Sequence, residues 1–464
     1  MPCMRCELAI IGGGPAGLAA ATQAAALGLD AILFDEQPAP GGQIYRGIET
    51  VQQTRSHDLR ILGEEYAEGA ALAEEFRASG VGYEPDSIVW QALEDGRIGV
   101  SHGGTARIVS AQRILIATGA MERPVPIPGW TLPGVMGAGA AQSLLKASGV
   151  VPDVPVAIVG TGPLIYLIAV QLARAGVPIA GVLLTAPEIG MTDALKVLPS
   201  ALRSGRSLLK GLAWRSELRG MGVPMLHGVT QPVVEGSRQA EAVSYTHDGM
   251  QHRIEAGLVL LHNGVISNTQ LSLGARCTQA WDADQHCWRP QTDAWGATNH
   301  VRIAVAGDGA GILGARAAAS LGRLAALDAA VRLGKLDPAQ RDRMAGAHRA
   351  ELARQQTLRE VLDQLFPPAA ALLAPTGAAD IVCRCEEITV GELEDAVAQG
   401  CTDANRVKAF TRCGMGPCQG RMCSSTAAEV IARSLHQRAD QPGQFRVRLP
   451  VRPVPIAELA RLQT

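Results

Sequence analysis

Two segments of this chain, one beginning at Glu7 and the other at Val156, each join an apolar strand to a helix through a glycine turn. That doubled pattern restricts the fold more than any other feature. The first segment reads ELAII over residues 7–11, then Gly12-Gly13-Gly14-Pro15-Ala16-Gly17. An Ala-rich helix from Leu18 to Leu27 follows, stops at Gly28, and leads to a strand at Ala31–Phe34. The second reads VAIVG from Val156, a helix over 163–175 and a strand over 179–184. Strand, crossover helix and parallel strand make a βαβ unit. Two of them predict an α/β chain with two Rossmann-like dinucleotide-binding folds, one inserted into the other.

The first turn has the residues its chemistry needs. Gly12 permits the tight bend, Gly14 lets backbone approach a diphosphate, and Gly17 lets the helix pack on the strand. Pro15 and Ala16 open the helix, whose positive end faces the phosphates. Asp35 ends the second strand, where an acid holds ribose hydroxyls, and Glu36 is a neighbouring candidate. Gly42-Gln43, Ala117-Thr118-Gly119 and Gly307-Asp308 follow in that order, each small and placed where backbone can meet a cofactor. Taken singly, each is explained as well by an ordinary turn.

The net charge of −2, with no basic run, argues against nucleic-acid binding. The most apolar region, Val154 to Thr185, is interrupted by Gly160, Gly162, Pro163, Arg174, Gly176 and Pro178, so no transmembrane helix is expected. The chain enters its first strand with no signal-peptide layout. Six of its ten cysteines lie between 383 and 423. Such clustering reads as metal binding in an intracellular protein, not as a secreted disulfide framework, and the expected location is cytoplasmic.

Cys383 and Cys385 form a C-x-C pair, and Cys418 and Cys423 a C-x4-C pair within TRCGMGPCQGRMC. Four clustered thiolates suit an iron–sulfur cluster or zinc. Unmetallated thiols are the remaining reading, and Cys413 is a rival for one place. Gly414, Gly416 and Gly420 fit a loop wrapped around a cluster, and Cys423 precedes a helix whose N-terminal dipole favours a thiolate. The first helix of this region is marked by a Thr389–Glu392 capping box, a stripe of Val390, Leu393 and Val397, and Gly400 at its end. Were the dinucleotide a flavin, a cluster that passes electrons singly would be its natural companion. Cys3 and Cys6 form a C-x-x-C that reads as a frayed end with one cysteine entering the first strand. Cys277, Cys287 and Cys401 read as ordinary. No histidine pattern binds metal, and His57, His102 and His262 read as surface or packing residues. No acid–base catalyst is identified.

The set GGGPAG, GGQ, ATG and GD resembles the FAD-binding half of pyridine-nucleotide–disulfide-reductase-like flavoproteins over about residues 6–335. By that resemblance Asp308 takes the place of the aspartate that approaches the flavin ribityl chain. CRCEEIT and GMGPCQGRMC resemble 2Fe–2S modules of the bacterioferritin-associated-ferredoxin type, which implies Cys383, Cys385, Cys418 and Cys423 as ligands. The two together, with PGGQIYRG, PGWTLPGVM and GTGPL, resemble the larger flavoprotein subunit of the opine oxidase, D-hydroxyproline dehydrogenase and hydrogen cyanide synthase group.

The implied organisation is an FAD-binding domain over residues 1–150 and 266–335, a second nucleotide domain over 151–265, and a helical linker over 336–379. A small helical 2Fe–2S domain over 380–435 and a tail over 436–464 complete it. The implied activity is relay of electrons from an amino-acid-oxidising partner, a smaller FAD-dependent subunit resembling D-amino-acid oxidases. The resemblance also accommodates a small ferredoxin-like subunit, an FMN at a subunit interface, and peripheral placement at the inner membrane through the acceptor. Glycine oxidation to cyanide is the alternative within the group.

The second fold departs from a working NAD(P) site. Ile165 stands where a third glycine belongs, the second strand ends at Thr185 and not at an acid, and Glu188 comes only after Pro187. A degenerate fold, or one holding another adenine nucleotide such as ATP, is expected there. A self-contained NAD(P)H dehydrogenase would need this region to bind nicotinamide. A thioredoxin-reductase reading fails because no cysteine lies between Cys6 and Cys277.

Overall fold

The computed structural model describes residues 4–186 and 205–462. Its first sheet runs in the order 82–84, 31–34, 4–11, 105–116, 97–102 and 87–92, with Ile303–Val305 added beside 105–116. Leu8 to Ile11 pair in parallel with Ala31 to Phe34 on one side and with Arg113 to Ile116 on the other. Strands in a parallel sheet are covered on both faces, which is why ELAII and RILIA read as apolar runs without alternation. The long strand Thr105–Ile116 changes partner along one edge. Its first half is antiparallel to Arg97–His102 and its last three residues are parallel to Ile303–Val305. That last pairing returns the chain to the first fold after the second has been built.

Helix Ala315–Arg332 then lies against helix Pro15–Ala26, and both face each other largely with alanines. Gly322 is required at the crossing, since a Cβ there would stand 2.0 Å from Ala16 O. The second sheet is parallel throughout, in the order 225–227, 179–184, 156–161, 258–263 and 135–137. A three-stranded antiparallel meander, 230–235, 242–247 and 250–255, follows the same fold. Glu188 and Cys3 lie outside the described residues. Cys6 is buried within the first strand, as are Cys277 and Cys287 elsewhere.

The charged stretch after residue 337 is a helix, Pro338–Leu365, capped by the Asp337 side chain on the amides of Ala339 and Gln340. The cysteine region is a short hairpin, Ile381–Cys383 with Ile388–Thr389, and three helices, Val390–Ala398, Ala404–Thr411 and Ser424–Ser434. Thr389 and Glu392 form the reciprocal capping box. Among the described residues, no helix is long and apolar enough to cross a membrane.

The tail, whose prolines and arginines give no clear reading in the sequence, forms a strap over residues 445–452 and a short helix, Ile456–Leu459. Phe445 is buried against Gly414 and Gly420, where added Cβ atoms would come within 2.6 and 2.9 Å of its ring. Val447, Leu449 and Val451 pack into the core of the first sheet, and Val451 N donates to Trp90 O at 2.8 Å. Arg452 ends the strap in an ion pair with Glu36 at 2.6 Å. The alternation Phe445-Arg446-Val447-Arg448-Leu449 explains it: an extended chain puts the apolar residues on one face and the arginines on the other. Truncating Phe445 leaves a cavity that no neighbour fills, so Phe445→Ala should destabilise the cysteine region by about 3–5 kcal/mol. Urea unfolding followed by proteolysis at the 436–452 segment measures it; unchanged midpoints would show that the ring carries no docking energy.

Candidate cofactor site and cysteine nest

The glycine turn at residues 12–17 is where distant parts of the chain converge. A Cβ on Gly12 would lie 2.5 Å from Ala117 O, one on Gly17 would lie 1.9 Å from Gly12 O, and one on Gly307 would lie 2.8 Å from the Ala16 methyl. Gly41 N donates to Gly13 O at 2.8 Å, which lays the Gly42-Gln43 segment over the turn, with Gly42 Cα 3.8 Å from the Cβ position of Gly14. Gly119 adjoins Gly309, and Asn268 N donates to Gly119 O at 3.0 Å. The structure therefore gathers Gly12, Gly14, Pro15, Ala16, Gly17, Gly42, Ala117, Gly119 and Gly307 around one helix N-terminus.

Asp35 is 3% exposed and points at this turn: its Oδ2 would lie 1.9 Å from a Cβ on Gly13. Its Oδ1 accepts from Gln37 N at 3.2 Å, whereas Oδ2 is buried without a hydrogen-bond partner. Burial, helped by the Glu36 charge, lifts the Asp35 pKa to about 6, more than the Gln37 and Gly13 amides and the Arg46 guanidinium lower it. An orphaned carboxylate oxygen beside a backbone cradle free of Cβ atoms fits the ribose and diphosphate of a dinucleotide. Asp308 Oδ1 accepts from the amides of Leu313 and Gly314, both at 3.0 Å, and Ser267 Oγ donates to Asp308 O at 2.8 Å. Burial raises the Asp308 pKa as well, against those two amides. Glu36 is engaged by Arg452. Gln43 accepts from Ser143 Oγ at 3.3 Å, and Thr118 Oγ1 donates to Asn268 O.

The five clustered cysteines meet in one nest. The sulfurs of Cys383, Cys413 and Cys423 lie within 4.8 Å of one another, all buried. The thiols of Cys413 and Cys423 donate to Cys383, whose pKa falls far below the ordinary thiol range, while theirs rise. Cys385, exposed, and Cys418, half-buried, are free thiols that hydrogen-bond to each other beside this trio. Gly416 is required there, since a Cβ would come 2.2 Å from Cys385 Cβ. Two of the four sequence-expected ligands, Cys383 and Cys423, thus share the tight trio with Cys413, and the other two form the adjoining pair. A dense set of convergent, soft sulfur donors on a close-wrapped loop fits a sulfur-ligated metal centre.

Sequence reasoning missed one arrangement in the second fold. His262, 1% exposed, is a buried residue with a carboxylate partner. Its Nδ1 lies 2.6 Å from Glu122 Oε1, and its ring lies 3.5 Å from the Cβ position of Gly162 in the second glycine turn. Glu122 and His262 are far apart in the chain, so no local spacing signals the pair. Ile165 is fully buried in its helix, and Thr161 Oγ1 and Thr185 Oγ1 are buried without partners.

Asp35→Asn keeps the shape and removes the charge. It should weaken FAD retention by roughly 10–100-fold at pH 8, the scale of a hydrogen bond to a charged group. In the native chain, affinity should fall as the pH drops through about 6, because the acceptor carboxylate becomes protonated. Fluorescence titration of apoprotein with FAD checks both; a flat pH profile would remove Asp35 from the site.

Comparison with known proteins agrees with this geometry. The family model described as pyridine nucleotide-disulphide oxidoreductase matches residues 6–334, and that of the sarcosine oxidase A3 domain matches residues 378–462. The chain is 43% identical to the A-type component of opine oxidase from Agrobacterium tumefaciens, over 98% of this chain and 92% of that protein. It is 32% identical to hydrogen cyanide synthase subunit HcnB of Pseudomonas aeruginosa, over 98% of each. The crystal structure of L-proline dehydrogenase from P. horikoshii shares the fold, with a TM-score of 0.70 at 19% identity, covering 99% of this chain and 81% of that one. The chain is therefore an FAD-dependent oxidoreductase of the pyridine nucleotide-disulphide oxidoreductase family, and belongs within it to the group formed by the opine oxidase and hydrogen cyanide synthase subunits of this type.

Proposed function

We propose that this chain is the electron-transferring subunit of a heteromeric dehydrogenase acting on an amino acid of the opine, D-hydroxyproline or proline type. The observation that carries this reading is the seating of the cysteine nest on the flavin-type fold by the 445–452 strap, which makes the two parts neighbours. Bound FAD and a 2Fe–2S cluster would together supply conversion of an electron pair into single electrons. Gly12, Gly14 and Gly17 hold the FAD backbone contacts in this reading, with Asp35 on the ribose and Asp308 toward the ribityl chain. Cys383, Cys385, Cys418 and Cys423 hold the cluster, and Cys413 stands beside them as a fifth sulfur. Cys385, the exposed member, marks the edge nearest an outside acceptor.

Both of the relatives described are named as subunits, which supports a partner. In this reading the partner is a smaller, D-amino-acid-oxidase-like flavoprotein that binds the substrate and removes a hydride and a proton across its C–N bond, leaving an imine. A small ferredoxin-like protein and an interfacial FMN fit the same scheme. The second fold, with Ile165 in place of a glycine and Thr185 in place of an acid, serves an adenine nucleotide such as ATP better than NAD(P)H. The complex works in the cytoplasm, at the inner membrane where its acceptor requires it. The higher identity to opine oxidase favours an opine-type substrate over glycine.

Anaerobic co-expression with a small flavoprotein of that type should yield a complex with flavin absorption and, on reduction, a 2Fe–2S EPR signal. Cys418→Ser and Cys385→Ser should lose that signal while keeping flavin. An opine or D-hydroxyproline should bleach the flavin and glycine should not. Zinc in place of iron would refute the relay, and bleaching by glycine alone would move the chain to the cyanide-forming branch.

A further inference from the structure

Arg46 and Lys146, where residues 43–47 meet helix Ala138–Ser148, form no ion pair among the described residues, although the Arg46 charge acts on the Asp35 carboxylate. Residues 43–47 lie along helix Ala138–Ser148. Gly47, with φ of +70°, would bring a Cβ within 2.9 Å of Lys146 O. Lys146 is 4% exposed, and its Nζ donates to Gln43 O at 3.3 Å and to Gln142 Oε1 at 2.9 Å. Among the described residues it forms no ion pair. Its charged and titratable surroundings are Arg46, the Tyr66 ring at 5.8 Å, and Arg55, which donates to Lys146 O and is itself paired with Asp58 at 3.0 Å. Arg46 also lacks an ion pair among the described residues, and its Nε is buried without a partner.

Burying an ammonium beside a guanidinium is unfavourable unless negative charge arrives. Burial first, and then the Arg46 charge, push the Lys146 pKa down to about 7. The same segment lies over the first glycine turn, through the Gly41–Gly13 bond and the Gly42–Gly14 contact. The orphaned Asp35 Oδ2 faces that turn too. The Lys146 ammonium thus holds Gln43 O, next in the chain to the Gly42 that lies over Gly14, and the Arg46 charge acts on Asp35 beside the same helix N-terminus, where a dinucleotide diphosphate would rest.

We infer that Arg46 and Lys146 supply the counter-charge for the cofactor's diphosphate, Lys146 acting as a positioning residue through Gln43. This rests on the FAD assignment of the turn. By linkage, the arriving anion favours the ammonium form of Lys146, so FAD binding takes up a proton wherever the free lysine is largely neutral. At pH 8 Asp35, with its pKa near 6, is already ionised and adds nothing to the count.

Isothermal titration of FAD into the apoprotein at pH 8, in phosphate and in Tris, reads the uptake from the difference in heat. Uptake of roughly half a proton or more is expected. Lys146→Met should abolish it and weaken FAD binding by about tenfold or more, the size of a charge–charge interaction in the effective dielectric of a protein. An unchanged circular dichroism melt shows whether that variant is folded, and the wild-type heats stand without it. Tight FAD binding with identical heats in both buffers, or wild-type affinity in folded Lys146→Met, overturns this inference and leaves the FAD assignment standing. An apoprotein that binds no FAD overturns both.

Discussion

The first nucleotide fold depends on main chain meeting main chain around residues 12–17. Gly12 against Ala117 O, Gly17 against Gly12 O and Gly322 against Ala16 O are each closer than any Cβ permits. These approaches fix the angle of helix Pro15–Ala26 on its strand and bring helix Ala315–Arg332 onto it, over a core built mainly of alanine. Small side chains yield less apolar burial per residue than leucine, but they allow backbone, and so the helix N-terminus, to stand bare toward a ligand. The cradle and the fold are one constraint.

How much of this could be read from the chain follows from range. The glycine fingerprint, the acid at Asp35 and the capping box at Thr389 are local patterns with local physics, and each appears where its spacing puts it. That GD at 307–308 would touch Ala16 could be expected from order along the chain, but not from any neighbouring residue. The Glu122–His262 pair was illegible, because its partners come from different strands of different sheets. The strap went unread: the alternation from Phe445 to Val451 is an extended amphipathic segment, but it is short and set among arginines and prolines that give no clear pattern.

The cysteine nest sets chemistry against geometry. Spacing and resemblance select Cys383, Cys385, Cys418 and Cys423, while the tightest sulfur group is Cys383, Cys413 and Cys423. The two descriptions share a loop. Gly414, Gly416 and Gly420 bring residues 413–423 against the C-x-C hairpin, and the Phe445 ring closes it from behind. Five neighbouring sulfurs give the site more donors than a four-ligand centre uses, and the Cys385–Cys418 pair is less buried than the trio.

Anomalous diffraction at the iron edge from crystals of the anaerobically purified complex tests the account most directly. It predicts two iron sites bonded to Cys383, Cys385, Cys418 and Cys423, in a chain whose 12–17 turn carries FAD density with the ribose on Asp35. A zinc edge at those sulfurs, or a 12–17 turn with no flavin on it, would contradict it.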